Sequence, residues 1–173
     1  MENWCYEPEA LALFAHHYET GEVIPQSYVD KIKESASFLE GMATVRQLSF
    51  GLLDMAYHAQ VPTIDDVKAF EVAATRDTAL YPDVAANCVS PAFSHIFQGG
   101  YSSGYYSYKW AEVLDADAFA YFQEKGIFNK EVGTQFKEYV LSQGGTALPM
   151  ELYKKFRGQE PKPEALLKRA GLL

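Results

Sequence analysis

Cysteine is scarce in this chain of 173 residues: only Cys5 and Cys88 occur, and they make no Cys-x-x-Cys pair. That argues against a disulfide framework and against a thiolate zinc site. With no signal peptide at the start, it predicts a reducing, cytoplasmic setting. Long apolar runs are missing too. A membrane-spanning helix needs roughly 18 consecutive apolar residues, and Lys, Glu or Asp interrupts every stretch here, so no membrane partner is expected. Basic residues are in deficit, 15 against 23 acidic ones, and the net charge of −8 gives no pull on phosphate, which argues against a nucleic-acid partner. No His-Glu-x-x-His array is present, and the adjacent His16 and His17 would point about 100° apart on a helix, so no metal ligand set is expected within the chain. No Ser-His-Asp or Cys-His arrangement can be claimed from spacing.

Aromatic residues, by contrast, are plentiful, with twelve Tyr and eleven Phe. The periodicity is helical almost throughout, with no strict alternation of the kind a strand requires. After Pro8, the set Ala10, Leu13, Phe14 and His17 predicts a short helix capped by Gly21. Tyr28, Ile32, Ala36 and Leu39 mark a second helix, which Gly41 interrupts before Met42, Val45, Ser49, Leu52 and Ala56 continue the period. His58 falls near the end of that third stretch, a favourable place for an imidazole beside a helix carboxyl terminus. Thr63 and Asp66 resemble a capping box ahead of Val67, Phe70 and Ala74. From Tyr81 to Gly104 the period fades into the longest loop, and Tyr105 to Lys125 is apolar all round its axis, which predicts a mostly buried helix. Gly126 ends it, Val132, Phe136 and Val140 make another, Pro149 opens a short one that Gly158 closes, and a last helix starts near Pro163. The expectation is a single all-α bundle of seven or eight helices spanning residues 1–173. Trp4 and Tyr6 so close to the start call for burial, either on a partner surface or on the chain's own core.

The chemistry concentrates in His95-Ile96-Phe97-Gln98-Gly99-Gly100-Tyr101-Ser102-Ser103-Gly104-Tyr105-Tyr106-Ser107-Tyr108. Gly99, Gly100 and Gly104 leave the backbone free to move and let a ligand approach it closely. Tyr101, Tyr105 and Tyr108 stand at i, i+4 and i+7, so a helix reaching back that far would line up three hydroxyls over about 10 Å. That matches about three residues of extended peptide. Each hydroxyl can donate to a peptide carbonyl, although aromatics at this spacing are also what a helical core demands.

The segment Phe93-Ser94-His95-Ile96-Phe97, with Gly99-Gly100-Tyr101 and Gly104-Tyr105-Tyr106-Ser107-Tyr108-Lys109-Trp110-Ala111-Glu112-Val113, resembles the thimet oligopeptidase, oligopeptidase A and peptidyl-dipeptidase group of zinc metallopeptidases. The likeness extends through Glu2-Asn3-Trp4, His17-Tyr18, Thr20-Gly21, Arg46-Gln47-Leu48 and Phe156-Arg157-Gly158, and so covers the whole chain. It implies an almost wholly helical cytosolic enzyme that cleaves short peptides in a deep channel, with zinc held by a His-Glu-x-x-His helix and a further Glu. Those ligands would precede Met1, so zinc is expected in the full-length enzyme and none on this chain alone. The resemblance further implies that His95 and Tyr108 hydrogen-bond the tetrahedral intermediate and that Tyr101 and Tyr105 contact the substrate backbone. Gly99, Gly100 and Gly104 match the family's flexible loop. Glu2 matches an acidic position that supports the zinc ligands from behind. The expected partners are short peptides and the missing amino-terminal part of the peptidase, whose loss would expose Trp4 and lead to self-association. The alternative is a stand-alone, non-catalytic helical peptide-binding module.

Overall fold

The computed structural model describes residues 2–173. The all-α expectation is met: eight α-helices and several single turns account for the ordered backbone, and among the described residues the only extended pairing is an isolated bridge between His16 and Val23. None of the helices is long and apolar enough to cross a membrane. The chain gathers into two compact units, one made of residues 2–38 with Val113–Leu173, the other of Leu39–Glu112.

In the first unit, helix α1 spans Pro8–Leu11 and α2 spans Gln26–Ala36. The helix predicted to run on to His17 stops at Leu11 because its later apolar positions find nothing to pack on. Leu13 and Phe14 are 70% and 62% exposed. The chain turns back instead, with Ile24 N donating to Ala15 O at 2.8 Å and His17 N donating to Glu22 O at 2.8 Å. Gly21, at φ +73°, supplies the left-handed residue of that turn rather than a helix cap.

Helix α5 spans Ser107–Lys125, and from Val113 onward it belongs to this unit. Ala116, Ala118, Phe119 and Phe122 bury one side of it against Ala10, Ile127, Val132, Tyr153 and Phe156. Helix α6, Lys130–Phe136, starts at Asn129, whose side-chain oxygen accepts from Glu131 N and Val132 N. Helix α7, Pro149–Arg157, has Pro in its first turn and Gly158 in the left-handed conformation after it, as its sequence predicts. Helix α8 covers Glu164–Arg169. Trp4 is part of this core: its ring meets Phe119 and Phe122 edge-on at 4.7 and 5.0 Å, and its indole N–H donates to Ile127 O at 2.9 Å. The expectation that Trp4 stands exposed is therefore corrected, because the chain itself supplies both the apolar contact and the acceptor.

The second unit holds helices α3, Glu40–His58, and α4, Val67–Thr75. The break before α3 falls at Leu39, with φ +56°, while Gly41 lies inside the first turn of α3 rather than interrupting it. Asp66 alone caps α4, its carboxylate accepting from Ala69 N at 3.0 Å, so the predicted capping box reduces to its acidic member. The core consists of Leu53, Phe93 and Ile96, with Phe50, Tyr57, Ala74, Val89 and Tyr105 packed around them. Here too the first turns of α5 depart from expectation. Tyr108 and Trp110 are 40% and 49% exposed, so only the middle of α5, from Ala116 to Phe122, is mostly buried.

Candidate functional site

Seven of the eight expected site residues, His95, Gly99, Gly100, Tyr101, Gly104, Tyr105 and Tyr108, lie in the second unit, whereas Glu2 is an exposed residue of the first unit's opening turn, Glu2–Tyr6. Helix α5 begins at Ser107, so Tyr101 and Tyr105 precede it and the single helical face predicted for the three phenols does not exist. The residues nonetheless come together, through a succession of tight turns.

The segment leaves the core at Phe93 and makes one turn over Ser94–Ile96, with Gln98 N and Gly99 N donating to Ser94 O at 2.8 and 3.2 Å. Gly99 sits directly on His95: a Cβ there would lie 2.8 Å from His95 Cα, closer than side chains tolerate, and a tight 3.0 Å from His95 O. Tyr101 N then donates to the same His95 oxygen at 3.2 Å, and the Ser102 hydroxyl donates to Ile96 O. Gly100 at φ +82° and Ser103 at φ +56° turn the backbone through the left-handed region. Only the first of these is a residue that adopts it without strain.

The rings line up in a contact chain. Tyr105 stands edge-on against Phe93 at 5.0 Å and Phe50 at 5.8 Å, which backs it with the core. Tyr108 lies 5.1 Å from Tyr105 and 5.2 Å from Tyr101, and Tyr101 in turn is 6.3 Å from the exposed His95 ring. Tyr101 thus stands between His95 and Tyr108 in the chain of contacts. The neighbouring Tyr101 hydroxyl first, and then desolvation, hold the Tyr108 phenol above its ordinary pKa of 10.0. Tyr108, 40% exposed, is therefore a neutral O–H donor at any physiological pH.

Two buried carboxylates not singled out from the sequence hold backbone here, Asp54 within this segment and Glu71 in the stretch just before it. Asp54, fully buried on α3, accepts from Ser103 N at 3.0 Å and from Tyr105 N at 2.9 Å, one on each oxygen. The His58 ring nitrogen Nδ1 lies 2.9 Å from both Asp54 Oδ1 and Asp54 O. Glu71, on α4, accepts from Val89 N at 3.0 Å and from both the amide and hydroxyl of Ser90 at 2.7 Å. Burial pushes Glu71 toward protonation, but the donors from Val89, Ser90 and Cys88 outweigh it and hold the carboxyl below its usual range. Burial first, and then the charge of Glu71, raise the Cys88 thiol, so it offers no thiolate nucleophile. The signal for both acids is in the sequence, as a lone charge inside the apolar runs Leu52-Leu53-Asp54-Met55-Ala56 and Ala69-Phe70-Glu71-Val72-Ala73.

No group of three or more His, Cys, Asp or Glu among the described residues could hold a metal ion. His16 Nδ1 is engaged with Gly21 O, His17 Nδ1 accepts from Glu19 N and Thr20 N, and His58 is taken up by Asp54. The residues present therefore do not fit a zinc site. A cavity of about 460 Å³ in the first unit lies among Trp4, Phe119, Phe122 and Phe136, and none of the expected site residues lines it.

A succession of tight turns, anchored on the buried Asp54, thus brings His95 and the Tyr101, Tyr105 and Tyr108 rings into one chain of contacts. The class of the protein follows from comparison: the chain belongs to peptidase family M3, whose sequence model matches residues 1–172. Within that family it is 47% identical over 174 residues to oligopeptidase A of Escherichia coli (strain K12), an alignment covering 99% of this chain and 26% of that protein. It is 34% identical over 174 residues to the dipeptidyl carboxypeptidase of the same organism, covering 99% of this chain and 26% of that one. Saccharolysin of Saccharomyces cerevisiae is 33% identical over 178 residues, with 99% and 24% covered. The chain spans about a quarter of the length of the curated relatives it matches.

Proposed function

We propose that this chain is the substrate-binding part of a zinc-dependent oligopeptidase that hydrolyses short peptides. The observation that carries the reading is the contact chain from His95 through Tyr101 to Tyr108 and Tyr105, in which Tyr108 is held as a protonated donor. Family membership and the names of the relatives, oligopeptidase A and dipeptidyl carboxypeptidase, support a peptide substrate. In this reading the Tyr101 and Tyr105 hydroxyls donate to main-chain carbonyls of the bound peptide. Tyr108, with His95, donates to the oxygen that gains charge when the scissile carbonyl is attacked. A donor already aimed at that position contributes about 3–4 kcal/mol of transition-state stabilisation. Gly99, Gly100 and Gly104 let the peptide lie close to the main chain, and Glu2 supports the metal ligands.

The metal and the base that activates water come from polypeptide outside this segment, so the isolated 173-residue chain binds peptides without cleaving them. A cytoplasmic setting belongs to the same proposal. One relative is named a probable cytosolic oligopeptidase A and another an organellar one, so location varies among the relatives. The test is hydrolysis of short peptides by the complete natural polypeptide that carries this segment and, separately, by the segment alone. The expected result is cleavage by the former that a chelator abolishes and zinc restores, with none by the latter. Chelator-resistant cleavage, or cleavage by the segment alone, would overturn the proposal.

A further inference from the structure

Asp54 is fully buried, and both of its carboxylate oxygens are given to backbone amides 49 and 51 residues further along the chain. Burying a charge in the middle of an apolar helix face is unfavourable, and an apolar side chain of similar volume would normally stabilise α3 at least as well. What the carboxylate does instead is fix the place of the Tyr101–Gly104 turn, which closes on its own Gly104 N–Tyr101 O bond of 2.8 Å, against α3. Ser103 is a non-glycine residue at φ +56°, a conformation that persists only where the surroundings over-determine it. Gly51, one turn before Asp54 on the same helix, lets the next part of the segment come close: a Cβ there would be 3.8 Å from Tyr106 Cα and Cβ. The two anchored amides bracket Gly104, and the second belongs to Tyr105, whose ring touches both Tyr101 and Tyr108.

We infer that Asp54 is a positioning residue: through Ser103 N and Tyr105 N it sets the location of the Tyr101, Tyr105 and Tyr108 phenols relative to α3, and so the geometry of the donors offered to substrate. This rests on the proposed oligopeptidase reading for its catalytic consequence, but not for its structural one. His58 completes the arrangement by occupying Asp54 Oδ1 from the solvent side of the helix end, with its side chain 24% exposed.

Asp54→Asn is the informative change, because it keeps the shape and replaces one acceptor oxygen with an NH₂ group that faces a backbone N–H. One of the two anchors is then lost. In the complete peptidase the expected fall in kcat/KM is about 100-fold, the scale for displacing an active-site group by about 1 Å. A merely structural role would lower the thermal midpoint without coupling to the phenols, so the deciding readout is a double-mutant cycle with Tyr108→Phe. If Asp54 acts through the phenols, Tyr108→Phe costs about 100-fold in the wild type and less than about 3-fold in the Asp54→Asn background. Strictly multiplicative losses would overturn the inference. Loss of activity in Asp54→Asn with no effect of Tyr108→Phe in the wild type would count against the oligopeptidase reading instead. Amide hydrogen exchange of the wild type then decides the role of Asp54 without reference to activity, and also if the variant does not fold. Ser103 and Tyr105 amides exchanging as slowly as those in the middle of α3 support the anchor, and exchange as fast as Gly100 and Ser102 overturns it.

Discussion

Gly99→Ala is the substitution for which the structure makes the sharpest demand. A methyl group there would meet His95 Cα at 2.8 Å, His95 O at 3.0 Å and His95 C at 3.3 Å, whereas carbon atoms rest at about 3.5–4.0 Å from their neighbours. The backbone would have to shift by roughly 0.7 Å to relieve the closest contact. It is not free to do so, since His95 O also holds Tyr101 N at 3.2 Å. Overpacking of this kind costs about 1–3 kcal/mol, against which the stiffer unfolded chain returns about 0.4–1 kcal/mol. A net destabilisation of about 1–2 kcal/mol follows. Gly104→Ala is the internal control, because its Cβ would sit 3.6 Å from Tyr101 O in ordinary contact and its φ lies outside the left-handed region, so only the favourable term remains. Urea unfolding midpoints of the two variants, read with the His95 ring-proton signals in NMR, form the assay. Gly99→Ala should either lower the midpoint or, if the turn gives way, move the His95 signals away from their wild-type positions. Midpoint and His95 signals both unchanged, as for Gly104→Ala, would refute the placement of Gly99 on His95.

Three further outcomes follow from the packing. Glu71 has its folded pKa held below that of the unfolded chain, so its contribution to stability is present above about pH 4.5 and disappears as pH falls through the folded value. Acid unfolding of Glu71→Gln should accordingly be flatter below pH 5 than that of the wild type, and identical profiles would contradict the Val89 and Ser90 contacts. Tyr153→Phe removes a 2.6 Å hydrogen bond to the buried Asp117, which keeps only Arg157 Nε at 3.2 Å, and should cost about 1–3 kcal/mol in urea unfolding. Trp4→Ala deletes two edge-on ring contacts and the bond to Ile127 O and should cost about 3 kcal/mol, with wild-type Trp4 emission blue-shifted relative to the unfolded chain. Emission of an exposed indole would instead favour a partner-facing Trp4.

Helix type and most helix positions were legible because the signals were local. Pro149 and Gly158 bracket α7 as their chemistry dictates, and Val132 and Phe136 bury the face that their spacing predicts. Where the reading failed, the deciding partner was distant in sequence or missing. Leu13 and Phe14 carry a helical period but have no surface to pack on. Tyr101, Tyr105 and Tyr108 lie together, but by turns rather than by a helix, and two amides of that segment are bound by a carboxylate about 50 residues away on α3. Nothing in the spacing of the tyrosines reports that distant acceptor. It is visible only as an acid out of place among Leu52, Leu53, Met55 and Ala56, a pattern that marks a charge with a specific job.

The measurement that bears most directly on the role assigned to the phenols is the steady-state kinetics of Tyr108→Phe in the complete peptidase with a short peptide substrate. Losing a donor that acts on the developing oxyanion should lower kcat by about 100- to 1,000-fold while KM changes far less. A variant with kcat equal to that of the wild type would show that the Tyr108 hydroxyl does not touch the reacting carbonyl, and the assignment of this segment as the donor side of a peptidase site would fail with it.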